Sequence, residues 1–582
     1  MTEIKKHTNS CSCNNCKPII NDTGLSRKNF LKTIGAATIG LGLNPVSSFA
    51  IAETGKVQEM MKSNAIRTGK AQRITLLHTT DIHGQVNVHD EFFWEEGKAA
   101  FRKRGGFAHL KTMINQLRKE NPNTLMLDGG DCFQGSAIAA LSEGHAMIPL
   151  MNNIGYDLML PGNWEVVYGK KMMVKDMGGY YAPKVCGNMF DDQTMELMFP
   201  PYHTFYIGGI KIGFVGYNDP LTPIRQSPDY SKGIKFSDPE KNVAAYVRLL
   251  KEQEECKMVF ALTHMGMAQQ LHMSNQPYSE GIDYILGADT HERIREPLQG
   301  KYSKVTEPGS FASFLGKLDI VIEDGKIKEE SYELMEVDPE KYKADEEMVQ
   351  LLERIHEPYN KEIKRVIGKT KTILQRYFVI ETSMDNLITD AVMWKSKPDI
   401  SLSNGFRFCT PLIPDPKTGE AEITTEYLWS MLPVNSNVKM GEVTGQQLSN
   451  WLEKEMENVF AKDATKRFGG WLIRFSGMKM KFTIGNEMGK RLQELKINGK
   501  QVDLNKTYTI TACEREGDLD SVLCRVKDVK NVKMLGYTLH DVMEEYLAKH
   551  SPVSPKVDGR AIATDAPATL LTQVEGTNYQ FR

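Results

Sequence analysis

Beyond residue 60 the chain lacks any apolar run near the roughly 20 residues that a bilayer span requires, and its mean hydropathy is −0.39. It also lacks an excess of charge of either sign, with 72 Lys and Arg against 74 Asp and Glu. That balance excludes the broad basic field of a nucleic-acid binder or a polybasic membrane-surface protein. There is no 20–50-residue repeat and no low-complexity tract, which excludes solenoids and flexible arrays. Cysteine is sparse. Of nine, Cys11, Cys13 and Cys16 form "CSCNNC", which has no fourth ligand nearby to complete a zinc site. The other six (Cys132, Cys186, Cys256, Cys409, Cys513 and Cys524) are too widely spaced for a disulfide framework, and buried thiols or a single Cys513–Cys524 bridge remain open. What is left is a soluble globular chain of 582 residues, 41% hydrophobic, long enough for two or three sizeable cores.

Residues 1–50 read as an export signal. "SRKNFLKTIGAATIGLGLNPVSSFA" has the basic pair Arg27-Lys28, then Phe30-Leu31-Lys32, a Gly/Ala-rich apolar stretch, and small residues Ser48 and Ala50 suited to cleavage. It resembles a twin-arginine signal in which Lys28 stands for the second arginine, and it predicts a periplasmic mature chain starting near residue 51 or 53. An ordinary secretory signal and a short core helix are the alternatives.

Residues 70–335 alternate strand and helix patterns. Strands are predicted at Ile74–Leu77, Thr124–Leu127, Asp157–Leu160, Ile210–Val215, Met258–Leu262 and Tyr284–Leu286, and helices at 107–119 and 239–254. "RKRGG" at 102–106 reads as a solvated helix start. Residues 336–365 read as a helical linker, broken at Pro358, and 366–582 as a second α/β unit.

The ends of five predicted strands each carry a potential ligand. "HTTDIHG" brings Asp81 and His83, "DGGDCFQGS" Asp131, "PGNWE" Asn163, "THMG" His264, and "GADTHE" Asp289 and His291. Any one of these alone reads as a turn or cap residue. Together, at strand carboxyl ends that converge on one crevice, with glycines that let the backbone approach a small ion, they point to a metal site with Asp131 as the ligand of its loop.

The ordered set Asp-x-His, Gly-Asp, Gly-Asn, Thr-His and x-x-His resembles the calcineurin-like metallophosphoesterases, and the second half resembles the C-terminal domain of bacterial 5′-nucleotidases. The resemblance implies a four-layer α/β/β/α catalytic domain with two divalent metal ions. Asp81, His83, Asp131 and His291 would hold one ion. Asp131, Asn163, His264 and Asp289 would hold the other, with Asp131 bridging and Asn163 also at the reacting centre. Two dications would lower the pKa of a shared water, whose hydroxide attacks the substrate, and neutralise charge on a tetrahedral oxyanion.

The chain departs from that family at several positions. Trp164 stands where most members have the His of Gly-Asn-His-Glu, and Val167 falls where 5′-nucleotidases have the aspartate that orients it; an indole cannot carry a proton at neutral pH. Asp289 replaces a nitrogen ligand with a harder oxygen, which favours Mn²⁺, with Zn²⁺ or Fe as the alternatives. "TACEREGDLDSV" has no aromatic residue where nucleotidases clamp the base. The Trp-Glu pair, Tyr168-Gly169 and "GFRFCTPLIP" resemble instead the thiosulfohydrolase (SoxB-like) branch of sulfur oxidation, although Trp471 stands where that branch has aspartate.

This reading predicts a small-molecule or carrier-protein-bound oxyanion substrate, with Trp164, Asn404 and Arg407 on the substrate side. Arg407 is chosen because a guanidinium fork suits an oxyanion. Two alternatives are a 5′-nucleotidase or phosphomonoesterase that works without the dyad, and a metal-binding protein without turnover.

Overall fold

The strand Gln72–Thr79 is the axis of the first sheet, and its last six residues are all buried. It runs parallel to Thr124–Asp128, which runs parallel to the short Leu158–Met159. On its other side it is antiparallel to Phe314–Glu323, itself paired with Lys326–Glu336. A second sheet of six strands has Met258–His264 near its centre, parallel to both Ile210–Asn218 and Tyr284–Leu286. These coordinates are a computed structural model that describes residues 71–407 and 409–582. The expected export signal at 1–50, with Cys11, Cys13 and Cys16, lies outside the described residues.

Side-chain alternation explains how the sheets stack. Ile74 and Leu76 of the first sheet share one core with Ile212, Phe214, Phe260 and Tyr284 of the second. Val215, Val259, Ala261 and Ile285, one residue out of phase, pack into a separate core with Val243, Val247, Met267 and Met273 from the helices Val243–Arg248 and Met267–Ser274. The helix Phe107–Glu120 covers the first sheet with Phe107, Leu110, Met113, Ile114 and Leu117, a three-to-four spacing that gives one apolar face. The result is the α/β/β/α stack.

All six predicted strands are present, though Asp157–Leu160 shortens to Leu158–Met159. "RKRGG" is a correction. Arg102–Gly105 end the strand Lys98–Gly105, which pairs with Val88–Glu95, and the helix begins only at Phe107. Phe92 opposite Phe101 makes a cross-strand aromatic pair, and Gly105 and Gly106, at φ 76° and 91°, turn the chain before the helix.

Helices Glu346–His356 and Asn360–Ile363 flank a 3₁₀ turn that contains Pro358. Beyond them, a five-stranded sheet has the order Arg474–Ser476, Ile400–Ser403, Thr507–Cys513, Asn437–Thr444 and Lys530–Thr538. A four-stranded sheet centres on Leu492–Ile497 and Met478–Phe482. The strand Ile400–Ser403 is buried throughout and ends where Asn404–Arg407 begin. The last residues return to the N-terminal half: Trp94 N–H donates to Phe581 O at 2.6 Å, and Arg293 N–H to Gln580 Oε1 at 2.9 Å. All described residues belong to one compact unit, and among them no helix is long and apolar enough to cross a membrane.

Candidate metal centre and substrate cavity

Five of the seven residues predicted as metal ligands have left-handed backbone: Asp81 at φ 51°, His83 at 50°, Asp131 at 65°, Asp289 at 90° and His291 at 58°. Non-glycine residues rarely adopt this conformation, which persists where surrounding structure enforces it and concentrates at functional sites. Two glycines let the loops meet. A Cβ on Gly130 would lie 2.4 Å from the backbone N of Gly162, and one on Gly162 would lie 2.3 Å from Asp131 Oδ1.

These loops bring Asp81, His83 and His291 into one group of potential ligand atoms, and Asp81, Asp131 and His264 into an adjoining one. His83 Nε2 is 3.1 Å from His291 Nε2, which is 3.4 Å from Asp81 Oδ1; His264 Nε2 is 3.1 Å from Asp131 Oδ2. Edges on the order of 3 Å are those of ligands about 2.1 Å from a shared ion. His83 Nδ1 meets Gln134 O at 2.8 Å and His264 Nδ1 meets Gly129 O at 2.7 Å. Donation to those carbonyls fixes the tautomer whose Nε2 carries the lone pair a metal would take. Asp81 Oδ2 is occupied by Thr80 Oγ1 and by the backbone N–H of Asp289, while Oδ1 has no hydrogen-bond partner. His264 Nε2 also lacks one: its approach to Asp131 has no hydrogen-bond alignment.

The electrostatics agree with a site for a cation. Burial works against the charge on Asp81, but His291, His264 and His83 outweigh it and hold this carboxyl well below the usual range. Burial likewise disfavours a charged His264, yet Asp131, Asp81 and Asp289 raise it well above an ordinary imidazole. Burial lowers His83. Buried oxygen and nitrogen donors, two of them unsatisfied, fit a divalent ion.

Asn163 and Asp289 are brought to the same place but are engaged differently. Asn163 Nδ2 donates to Asp289 Oδ1 at 2.5 Å, and its Oδ1 accepts from Gln226 Nε2 at 2.9 Å. Arg225 grips Asp289 with both nitrogens, at 3.0 and 2.8 Å. The sequence reading missed Arg225 and Gln226. They follow the end of Ile210–Asn218, predicted as Ile210–Val215, and "TPIRQ" after that strand end is the signal that points to them.

Above the ligands lies a cavity of about 120 Å³, lined by His83, Asp131, Asp289 and His291 from below and by Asn404, Phe406, Arg407, Phe468, Trp471 and Arg525 from the C-terminal half. Trp164 lines it too, its ring 6.2 Å from that of Phe406. All three residues predicted on the substrate side therefore face one space with the metal loops. The Arg407 guanidinium lies 3.7 Å from the centre of the Trp471 ring, donates from Nε to Gly469 O and from Nη1 to Thr290 O, and sits 3.4 Å from Glu292.

Comparison with known proteins gives this geometry a family. Residues 74–293 match the calcineurin-like phosphoesterases and residues 366–513 the 5′-nucleotidase C-terminal domain. The chain is 24% identical to the 5′-nucleotidase of Vibrio cholerae over 88% of this chain and 97% of that protein. It is also 24% identical to the trifunctional nucleotide phosphoesterase YfkN of Bacillus subtilis, but spans only 34% of that protein's length. Among solved structures, the sulfate thiohydrolase SoxB of Thermus thermophilus superposes with a TM-score of 0.77 at 21% identity, covering 86% of this chain and 98% of that one. The 5′-nucleotidase precursor of Thermus thermophilus gives 0.73 at 21% identity, covering 85% and 100%; these likenesses establish a shared fold. A phosphoesterase domain followed by a 5′-nucleotidase C-terminal domain, around loops fit for divalent ions, makes the chain a member of the calcineurin-like metallophosphoesterase and 5′-nucleotidase superfamily of hydrolases.

Proposed function

We propose that this protein is an exported, metal-dependent hydrolase that cleaves the ester of a small sulfur or phosphorus oxyanion, in the manner of a thiosulfohydrolase. The observation that carries the reading is the cavity above the metal loops. At about 120 Å³ it is well below the roughly 300–1,000 Å³ of pockets that enclose drug-sized ligands, and Trp164 fills its wall where an imidazole would serve phosphate-ester cleavage.

Asp81, His83, Asp131, His264 and His291 would hold the divalent metal, and the paired carboxylates favour Mn²⁺. A bound dication supplies Lewis acidity and lowers the pKa of water. The chain's own contribution is orientation. Arg407 would bind the oxyanion, Trp164 and Phe406 would exclude water beside it, and Asn404 would contact it from the C-terminal half. Asn163, through Gln226 and Asp289, would fix the far edge of the reacting centre.

A 5′-nucleotidase is the second reading. It is supported by the named activity of the Vibrio cholerae relative and by Phe406, Phe468 and Trp471 at the cavity, rings on which a base could stack. A turnover screen of Mn²⁺-loaded protein against AMP, phosphate monoesters and S-sulfonated thiols separates the two. Turnover of AMP at rates ordinary for an enzyme, on the order of 10 s⁻¹, without turnover of S-sulfonates would reject the first. Asp131→Ala should abolish both metal retention and turnover; retention at the wild-type level would remove the metal reading. N-terminal sequencing of the mature chain tests export, and an intact Met1 on a cytoplasmic protein would overturn it.

A further inference from the structure

Arg225, partly buried with its side chain 14% exposed, has both Nη atoms committed to acids at the edge of the candidate metal centre. Its Nη1 donates to Asp219 Oδ2 at 2.5 Å and to Asp289 Oδ2 at 3.0 Å, and its Nη2 donates to Asp289 Oδ1 at 2.8 Å. Asp289 Oδ1 also receives the Asn163 amide, so both of its oxygens are occupied. The neighbouring Gln226 takes Asn163 Oδ1. Two consecutive residues thus claim the oxygens of Asn163 and Asp289, two of the three ligands (with His264) that the family pattern assigns to a second ion alone. At the first position Asp81 Oδ1 has no hydrogen-bond partner among the described residues, and His291 Nε2 lies 3.4 Å from it.

The pair also accounts for the departure at residue 289. A neutral imidazole gives a guanidinium no charge to pair with, whereas a carboxylate accepts it bidentately. A second dication beside Asp289 and His264, whose Oδ1 and Nε2 lie 3.8 Å apart, would sit against that guanidinium and be repelled by it. We propose that Arg225 is a built-in cation standing in place of the second metal ion, so that the centre takes one divalent ion and holds a fixed guanidinium beside it. The place beside Asp289 that a second ion would fill is then held by a side chain that cannot dissociate. The inference rests on the metal reading above and is independent of the substrate.

Chelator-stripped protein reloaded with Mn²⁺ tests it, by elemental analysis, calorimetric titration and low-temperature electron paramagnetic resonance. The wild type should retain one ion per chain and show the six-line signal of an isolated Mn²⁺. Arg225→Met should admit a second ion and show an exchange-coupled spectrum. Two coupled ions in the wild type, or one ion still in a folded Arg225→Met, would overturn the proposal and leave metal dependence standing. No ion in the wild type would overturn both. Asp289→Asn decides independently of whether Arg225→Met folds. As a partner of Arg225 rather than a ligand, its change should leave one ion bound with a Kd within about twofold of wild type, and a Kd weakened by about tenfold or more would overturn the proposal.

Discussion

Glu165 holds the Asp131 loop by its backbone: its Oε2 accepts the N–H of Asp131 at 2.9 Å. The same carboxylate accepts Gly162 N–H at 2.6 Å, Cys132 N–H at 2.6 Å and Phe133 N–H at 3.3 Å. One buried side chain thus ties the Asp131 loop to the Asn163 loop. Glu165→Gln puts an amide NH₂ among N–H donors, and an unsatisfied buried donor costs on the order of 1–3 kcal/mol. The expected outcome is a lower Tm and metal affinity weakened by about tenfold, since support of a ligand is typically worth 10–100-fold. Calorimetric Mn²⁺ titration checks it, and wild-type affinity would refute the role.

Three residues before Asp131, burial pushes Asp128 up from 3.8 to about 8, with the charge of Glu165 adding to it against the opposing Gly130 N–H and Cys132 thiol. The folded chain therefore keeps a proton that the unfolded chain releases near pH 4. Between those two values the native state binds more protons, so this group makes stability fall as pH rises. Thr79 Oγ1 donates to Asp128 Oδ2 at 3.1 Å, and an asparagine amide oxygen accepts the same bond while staying neutral at every pH. Asp128→Asn should gain in Tm relative to wild type by a few degrees between about pH 5 and about pH 8.5. A pH-independent difference would show that Asp128 is ionised in the fold.

Much of this centre could be read from strand ends alone. "HTTDIHG", "DGGDCFQGS", "THMG" and "GADTHE" follow strands whose apolar runs are unmistakable, and a parallel sheet brings such ends together without further information. The hairpin Val88–Gly105 is not legible in the sequence because alternating charges on an edge hairpin resemble a solvated helix start. Its inward Phe92 and Phe93 are both fully buried, which only tertiary packing reveals. The cavity's upper wall was legible only in part. Arg407 and Asn404 sit at the end of a buried strand, but Trp471, Phe468 and Arg525 reach the same space from other loops, and no spacing in the chain announces that meeting. Arg225 was hidden for a similar reason: an arginine in a loop reads as solvated until Asp219 and Asp289 are found on either side of it.

Arg407 has its Nε and Nη1 anchored to Gly469, Thr290 and Glu292, and its ring partner is Trp471. Nη2 makes no hydrogen bond with the described residues. Lysine keeps the charge but loses the planar fork and the stacking. Arg407→Lys should raise KM for the oxyanion substrate by about tenfold, equivalent to about 1.4 kcal/mol, with a smaller change in kcat. Steady-state kinetics check this, and an unchanged KM would leave Arg407 as a tie between the two halves of the chain.

Trp164 is where chemistry and packing can be separated. Its backbone N–H donates to Asp131 Oδ1 at 2.8 Å, so residue 164 is fixed beside the metal loop whatever its side chain. Its indole is 7% exposed and lines the cavity. The N–H of Val167 donates to Trp164 O at 3.1 Å, which places residue 167 in the same tight turn. An imidazole at 164 would therefore reach the cavity but find only a valine behind it, with no carboxylate to hold its tautomer. Trp164→His alone should recover little phosphomonoesterase activity. Trp164→His with Val167→Asp should raise AMP hydrolysis by about 10²-fold, the lower end for a placed proton donor or acceptor. The reverse holds if Trp164 only packs: removing a large indole from a buried wall costs about 3–5 kcal/mol, so both variants would melt earlier and gain no turnover. Melting curves and AMP turnover on the same preparations distinguish the outcomes, and a double variant that keeps its Tm yet hydrolyses AMP no faster would rule out the dyad as the missing element.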